Sequence, residues 1–302
     1  MVFTGLLYKI HLNKKVIYKN MISVSTLTSY HYCPRKLYLE YVLEIIKPPK
    51  EVLVKGTIRH QVHNQINKKE EEIVKSITED FNLLKIQELY KKIYSEILRE
   101  AIRKNKVELE KLGIDLGQFF KEMWPLILSE SKLRAINTFK FSQKYNIFEE
   151  ELWGRLTPKI ESEVYVESKK FDLKGVVDQV EIYEQDIVPY ELKTGKPPEK
   201  GVWPSHQIQV GAYVLILQEK YNKPIKEAFV KYLNTNETRQ IIMNPFLKDE
   251  ILTLIKKVKA LLSDKKIPDY TKNENKCKKC EINKECYDEP FLRSLLLNNR
   301  NL

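Results

Sequence analysis

An α/β fold with a large helical insertion is what the 302-residue sequence predicts, and three features predict it. A charged stretch with an apolar period of about 3.6 residues runs to about Phe148. Apolar alternation then takes over between Val164 and Leu192, followed by helix, strand, strand and helix patterns. The four cysteines fall near the two ends, Cys33 on one side and Cys277, Cys280 and Cys286 on the other.

Taken in order, Met1 to Asn20 carry no motif, and Met21 reads like a natural start, so residues 1–20 look like an extension. Ser25 or Thr26 can cap a first short helix, and Pro34 suits the first turn of a second through Arg35, Leu37 and Tyr41. After the Pro48-Pro49 break, a strand-like Glu51 to Val54 leads to Gly56 and a helix bearing His60 and His63. Residues 64–150 read as an all-helical insertion whose breakers are Gly113, Gly117 and Pro125.

The character changes at Trp153 to Pro158, and residues 155–262 read as the α/β core. Its strands are expected around Val164 and Val166, from Phe171 to Ile182, and from Ile187 to Leu192. A helix from Ser205 to Tyr221, strands at Ala228 to Leu233 and Gln240 to Met243, and a helix from Pro245 to Leu262 complete it. Pro268 ends regular structure before a Lys-rich loop. With no repeat and no low-complexity linker, residues 1–302 read as one elaborated domain.

Composition narrows the function. Hydrophobic residues make up 42%, which excludes wholesale disorder, and no apolar run approaches the ~18 residues needed to cross a bilayer. No secretory leader is legible at Met1, so a cytoplasmic protein in a reducing compartment is expected, where four cysteines signal metal ligation rather than disulfides. The formal charge of +11 suits a polyanionic partner, and equally suits plain solubility.

Glu191 and Lys193 alternate within Tyr190-Glu191-Leu192-Lys193 and so share one strand face. If the strand Gly175-Val176-Val177-Asp178 is its neighbour, Asp178 joins them. Two carboxylates and an ammonium suit a hard cation and phosphodiester chemistry, though an exposed charged strand face would read the same way. His60 could add an imidazole, or be an ordinary helical histidine. Gln209 and Tyr213, four apart, face one way on a helix, to contact a phosphate or base or to pack on the sheet. The Cys277-x-x-Cys280-x5-Cys286 triplet with Cys33 makes four thiolates, enough for zinc or a [4Fe-4S] cluster, with the irregular count leaning towards the cluster.

In combination, Tyr32 to Tyr38, Gly56 to His60, Gly175 to Asp178, Glu191 to Lys196, Gln209 to Tyr213 and the cysteine triplet resemble RecB-like nucleases of the PD-(D/E)XK type. Within them the closest look is to the CRISPR-associated exonucleases of the fourth Cas family. The resemblance spans about residues 22 to 287 in the family's order. It implies a restriction-endonuclease-like mixed sheet flanked by helices. It also implies that His60, Asp178, Glu191 and the Leu192 carbonyl bind Mg²⁺ or Mn²⁺, and that Lys193 is the catalytic lysine.

By the same resemblance Gln209 and Tyr213 form the DNA-contacting motif. Cys33, Cys277, Cys280 and Cys286, on elements 25–45 and 270–290, hold a [4Fe-4S] cluster. The implied activity is trimming of single-stranded DNA in CRISPR adaptation with integrase subunits, and a homo-oligomer is compatible with it. Rival readings are an iron-sulphur nuclease of repair or replication and a non-catalytic DNA-binding scaffold. Two features depart from the family pattern: the long stretch after His60, and His206 where an acidic residue often stands.

Overall fold

The computed structural model describes residues 21–46, 51–264 and 266–300, so the expected extension at 1–20 and the Pro48-Pro49 break lie outside the described residues. Strand β1 (Ile22–Ser23) leads into helices α1 (Val24–Tyr32) and α2 (Pro34–Tyr41). The cap of α1 is Ser23 rather than Ser25 or Thr26: its hydroxyl accepts from Thr26 N at 3.2 Å, while the Thr26 side chain is buried. Cys33 caps α2, with Pro34 in its first turn as the sequence suggests.

Helix α3 (Glu51–Lys75) corrects the expectation of a strand at Glu51 to Val54. Val52 and Leu53 are exposed, and these residues form the helix's first turns rather than an extended segment. Helices α4 (Leu83–Lys104), α5 (Lys106–Lys111), α6 (Leu116–Tyr145) and α7 (Glu149–Arg155) complete the helical region. Of the three expected breakers, Gly113 breaks the chain, at φ +70°. Gly117 and Pro125 lie inside α6, which Asp115 starts by accepting from Gln118 N at 2.7 Å and which packs along α4. These helices share an apolar cluster that includes Ile66, Tyr90, Tyr94, Leu98, Phe119 and Leu152.

The sheet contains β2 (Lys159–Ser168), β3 (Leu173–Ile182), β4 (Ile187–Lys193), β5 (Ala228–Tyr232) and β6 (Glu237–Ile241). Its order is β1-β3-β4-β5-β6, with β2 on β3; β4 and β5 run parallel, as do β1 and β3, and the remaining pairs are antiparallel. This is a mixed sheet with flanking helices. Strand β6 falls earlier than Gln240 to Met243, because Asn236 turns the chain at φ 54° and pairs Ala228 with Ile241, leaving Ile242 exposed. Helix α8 (Pro204–Tyr221) makes the crossover from β4 to β5 and packs with α1 and α9 (Pro245–Ser263) in a second apolar cluster.

Regular structure does not end at Pro268. Helices α10 (Glu274–Lys278), α11 (Asn283–Tyr287) and α12 (Glu289–Arg300) follow. Asn273 caps α10, accepting from Lys276 N at 3.2 Å, and the Asp288 side chain accepts from Phe291 N at the start of α12. Ile282 and Leu292 bury against Tyr38, Leu39 and Leu43, which closes the C-terminal segment onto α2. Among the described residues no helix is long and apolar enough to cross a membrane.

Candidate active site

Pairing between β3 and β4 runs from Ile182 with Ile187 to Gln179 with Tyr190. One residue beyond, the Asp178 carboxylate accepts from Leu192 N at 2.7 Å, a side chain standing where a ladder bond would otherwise run. The strands therefore fork at Asp178, and Glu191 and Lys193 lie along the fork. Lys193 Nζ donates to Glu191 Oε1 at 2.7 Å and to Gln209 Oε1 at 2.9 Å; Gln209 Nε2 donates to the same Glu191 oxygen at 2.7 Å.

Glu191 is only 3% exposed, and its second oxygen, Oε2, is buried with no hydrogen-bond partner. Burial, with the negative charge of Asp178, pushes its carboxyl up to about 8. Helix α3 brings His60 over the fork, its Nδ1 3.4 Å from Asp178 Oδ1. Burial alone would lower the His60 pKa, but hydrogen bonding to Asp178 and the charges of Asp178 and Glu191 outweigh it and raise it.

The pairing of β2 with β3 skips Glu163, which lies between Ser162 opposite Gln179 and Val164 opposite Val177. Glu163 therefore faces Asp178, and its backbone sits at φ 54°, a left-handed conformation that costs a non-glycine residue about 1–3 kcal/mol. Ligand atoms of His60, Glu163 and Asp178 all lie within 4.8 Å of one another. Burial and the Asp178 charge raise the Glu163 carboxyl as well. Sequence reasoning missed Glu163; the available signal was an acidic residue inside the strand that precedes Asp178.

The structure thus brings Asp178, Glu191, Lys193, His60, Gln209 and the Leu192 main chain together. Tyr213 joins them from one turn beyond Gln209: 5% exposed, it hydrogen-bonds to Gln209 and feels the charges of Glu191, Asp178 and Glu163, and its ring is so close to Gly175 that a Cβ there would come within 2.7 Å of Cε1. His206 points elsewhere: its Nδ1 is 3.1 Å from the Tyr232 hydroxyl, and burial together with the Lys193 charge lowers its pKa to about 4.

The four cysteines line one cavity of about 360 Å³, mouth included, between the α1–α2 junction and the α10–α11 segment. Lys36 N donates to Cys33 Sγ at 3.4 Å and Arg35 Nε to Cys286 Sγ at 3.3 Å. Arg35 lies 3.8 Å over the Tyr270 ring, which stacks on Tyr287. Tyr32 and Lys276 exchange two hydrogen bonds that join the two segments. Burial raises the thiols of Cys280 and Cys286.

A forked mixed sheet with acidic residues and a lysine at the fork defines a nuclease class, and comparison of the whole chain agrees. The chain belongs to the PD-(D/E)XK nuclease superfamily, whose sequence profile matches residues 21–287. It is 32% identical over 177 residues to a CRISPR-associated exonuclease Cas4/endonuclease Cas1 fusion of Leptospira interrogans, covering 57% of this chain and 31% of that protein. It is 27% identical to the CRISPR-associated exonuclease Cas4 of Francisella tularensis over 41% of this chain and 60% of that one. A DNA replication ATP-dependent helicase/nuclease of Arabidopsis thaliana is 23% identical over 82% of this chain and 19% of its own length. The chain spans less than two thirds of each of these relatives.

Proposed function

We propose that the chain is a divalent-metal-dependent deoxyribonuclease that trims single-stranded DNA, working in CRISPR adaptation beside integrase subunits. The observation that carries this reading is the unpartnered, buried Glu191 Oε2 beside the His60, Glu163 and Asp178 donor set. A buried acceptor left unmade costs about 1–3 kcal/mol, so it marks a place that a positive group completes. Carboxylates with one imidazole fit Mg²⁺ or Mn²⁺, held by the converging donors of His60, Asp178 and Glu163 and, by resemblance, by Glu191 and the Leu192 carbonyl. When bound, such an ion supplies charge to the phosphoryl oxygens and acidifies a coordinated water.

The chain's own groups do the rest. Lys193, held between Glu191 and Gln209, presents an ammonium where negative charge develops on a phosphate. Both members of the helical pair reach the site: Gln209 donates to Glu191, and Tyr213, hydrogen-bonded to Gln209 and packed against Gly175, braces it.

The four thiols fit a [4Fe-4S] cluster: they share one cavity, and backbone and guanidinium N–H groups donate to two of the sulfurs. Such a cluster would fasten α2 to the C-terminal segment, closing a loop of roughly 240 residues. A replication or repair role is the second reading, because the replication helicase/nuclease aligns with 82% of this chain.

The test is digestion of end-labelled single-stranded DNA by anaerobically purified protein in Mn²⁺ or EDTA. Cleavage in Mn²⁺, absent in EDTA and absent in Asp178→Ala and Lys193→Ala, is expected. Retained cleavage in both variants overturns the assignment.

A further inference from the structure

The loop joining β4 to α8, residues 194–203, starts directly after Lys193 and ends on the helix that carries Gln209. Its backbone is pinned at three carbonyls, and a fourth bond holds Lys193 just before it. Leu233 N donates to Lys193 O at 2.8 Å, and Asn234 Nδ2 donates to Thr194 O. Trp203 Nε1 donates to Lys196 O at 2.9 Å, and Arg239 Nη1 to Gly201 O at 3.0 Å. Thr194 also lies against Gly56, one turn of α3 before His60.

What this fixed loop offers outward is an indole, two ammonium groups and one carboxylate, Glu199, for a net positive charge. Trp203 is 46% exposed although its one polar atom is already satisfied, so the surface it shows to solvent is apolar ring. The other two tryptophans are engaged internally: Trp124 stacks on Phe120, and the Lys159 ammonium sits 3.9 Å over Trp153. Lys196 and Lys200, on the same loop, are exposed. Trp203 caps α8, and Gln209 lies six residues along it. That is about 9 Å of helix rise, on the order of two or three nucleotide steps of a strand.

We propose that this loop is a subsite for an unpaired nucleobase, with Trp203 as the stacking face and Lys196 and Lys200 as contacts to flanking phosphates. It rests on the nuclease reading and adds to it where the strand is gripped. A rigid aromatic face accepts any base and needs that base unstacked from its own duplex, so the subsite selects single strands without selecting sequence. The pinned carbonyls matter because a ring held in place by the protein loses little freedom on stacking.

The probe is a fluorescein-labelled oligodeoxythymidylate, bound to the full chain in EDTA so that binding is read without cleavage. Trp203→Leu is expected to weaken binding by about 5- to 100-fold and to abolish the quenching of tryptophan fluorescence that accompanies it. Trp203→Phe keeps a ring while losing the bond to Lys196, and is expected to bind near the parental affinity. Binding of a blunt duplex is expected to be insensitive to both changes. Lys196→Gln and Lys200→Gln are each expected to lower the slope of log affinity against log salt by about one.

Equal binding by Trp203→Leu and the parent overturns the proposal. So does a Trp203→Phe as weak as Trp203→Leu with an unchanged melting temperature, which assigns the residue to loop bracing, or tighter binding of oligouridylate than of oligodeoxythymidylate. The subsite and the nuclease reading fail separately. Binding that depends on Trp203 in a chain inert in Mn²⁺ and Mg²⁺ sinks only the nuclease, whereas cleavage by Trp203→Leu with unchanged KM sinks only the subsite.

Discussion

Glu191 and Glu130 are both buried carboxylates, and their surroundings differ in one respect that separates the two halves of the molecule. Glu130, on α6, accepts from Arg134 Nε at 2.9 Å with one oxygen and from Lys231 Nζ at 2.8 Å with the other. Arg134 also donates to Glu70 at 2.9 Å and to Asn67, and the Tyr90 hydroxyl donates to Glu70. Burial opposes ionisation of Glu130, but Arg134 and Lys231 outweigh it and hold the carboxyl well below the usual range. Glu191 shares one lysine, faces the anionic Asp178, and keeps an oxygen with no donor.

Acceptors fully matched to donors make a joint, here tying α3, α4 and α6 to β5. An acceptor left over makes a site, because an incoming positive group meets no competitor for it.

The largest effect expected from this contrast is on chemistry. Glu191→Gln should lower cleavage of single-stranded DNA by about 10³-fold while leaving the urea midpoint close to the parental one, since burial and Asp178 already raise this carboxyl so that the isosteric amide removes little charge. Glu130→Gln should do the reverse, costing about 3–5 kcal/mol in urea unfolding because Lys231 and Arg134 lose their shared partner. A similar stability loss in both variants would erase the distinction between joint and site.

A smaller effect is on pH dependence, and its sign is set by His63. That residue is buried beside the joint, and burial lowers its pKa from 6.5 to about 3. A depressed folded pKa means the unfolded chain binds the proton first, so stability is full above 6.5 and declines as pH falls towards 3. Between pH 7 and pH 5 this residue should account for about 2 kcal/mol, read as the change in urea unfolding free energy between the two pH values in the parent that is missing in His63→Gln. An identical pH dependence in the two proteins would place the charged burden elsewhere.

Legibility in the sequence follows the range of the interaction. Asp178, Glu191 and Lys193 were readable because alternation puts residues two apart on one strand face, and Gln209 with Tyr213 because four residues make a helical turn. Strands β3, β4 and β5 and helices α8 and α9 were readable for the same reason. The first turns of α3 misread as a strand, since a short apolar run carries no period of its own.

What the chain's order determined by itself was the superfamily, the acidic pair with its lysine, and the grouping of thiols at its two ends. Tertiary structure alone decided that Glu163 opposes Asp178 across the skipped β2–β3 register, that Glu191 keeps an unmatched oxygen, and that Glu130 has two cations. Local periodicity specifies which face a side chain takes. Which charges meet across 14 to 101 positions is fixed only when burial removes water and each polar group must find its partner inside the fold.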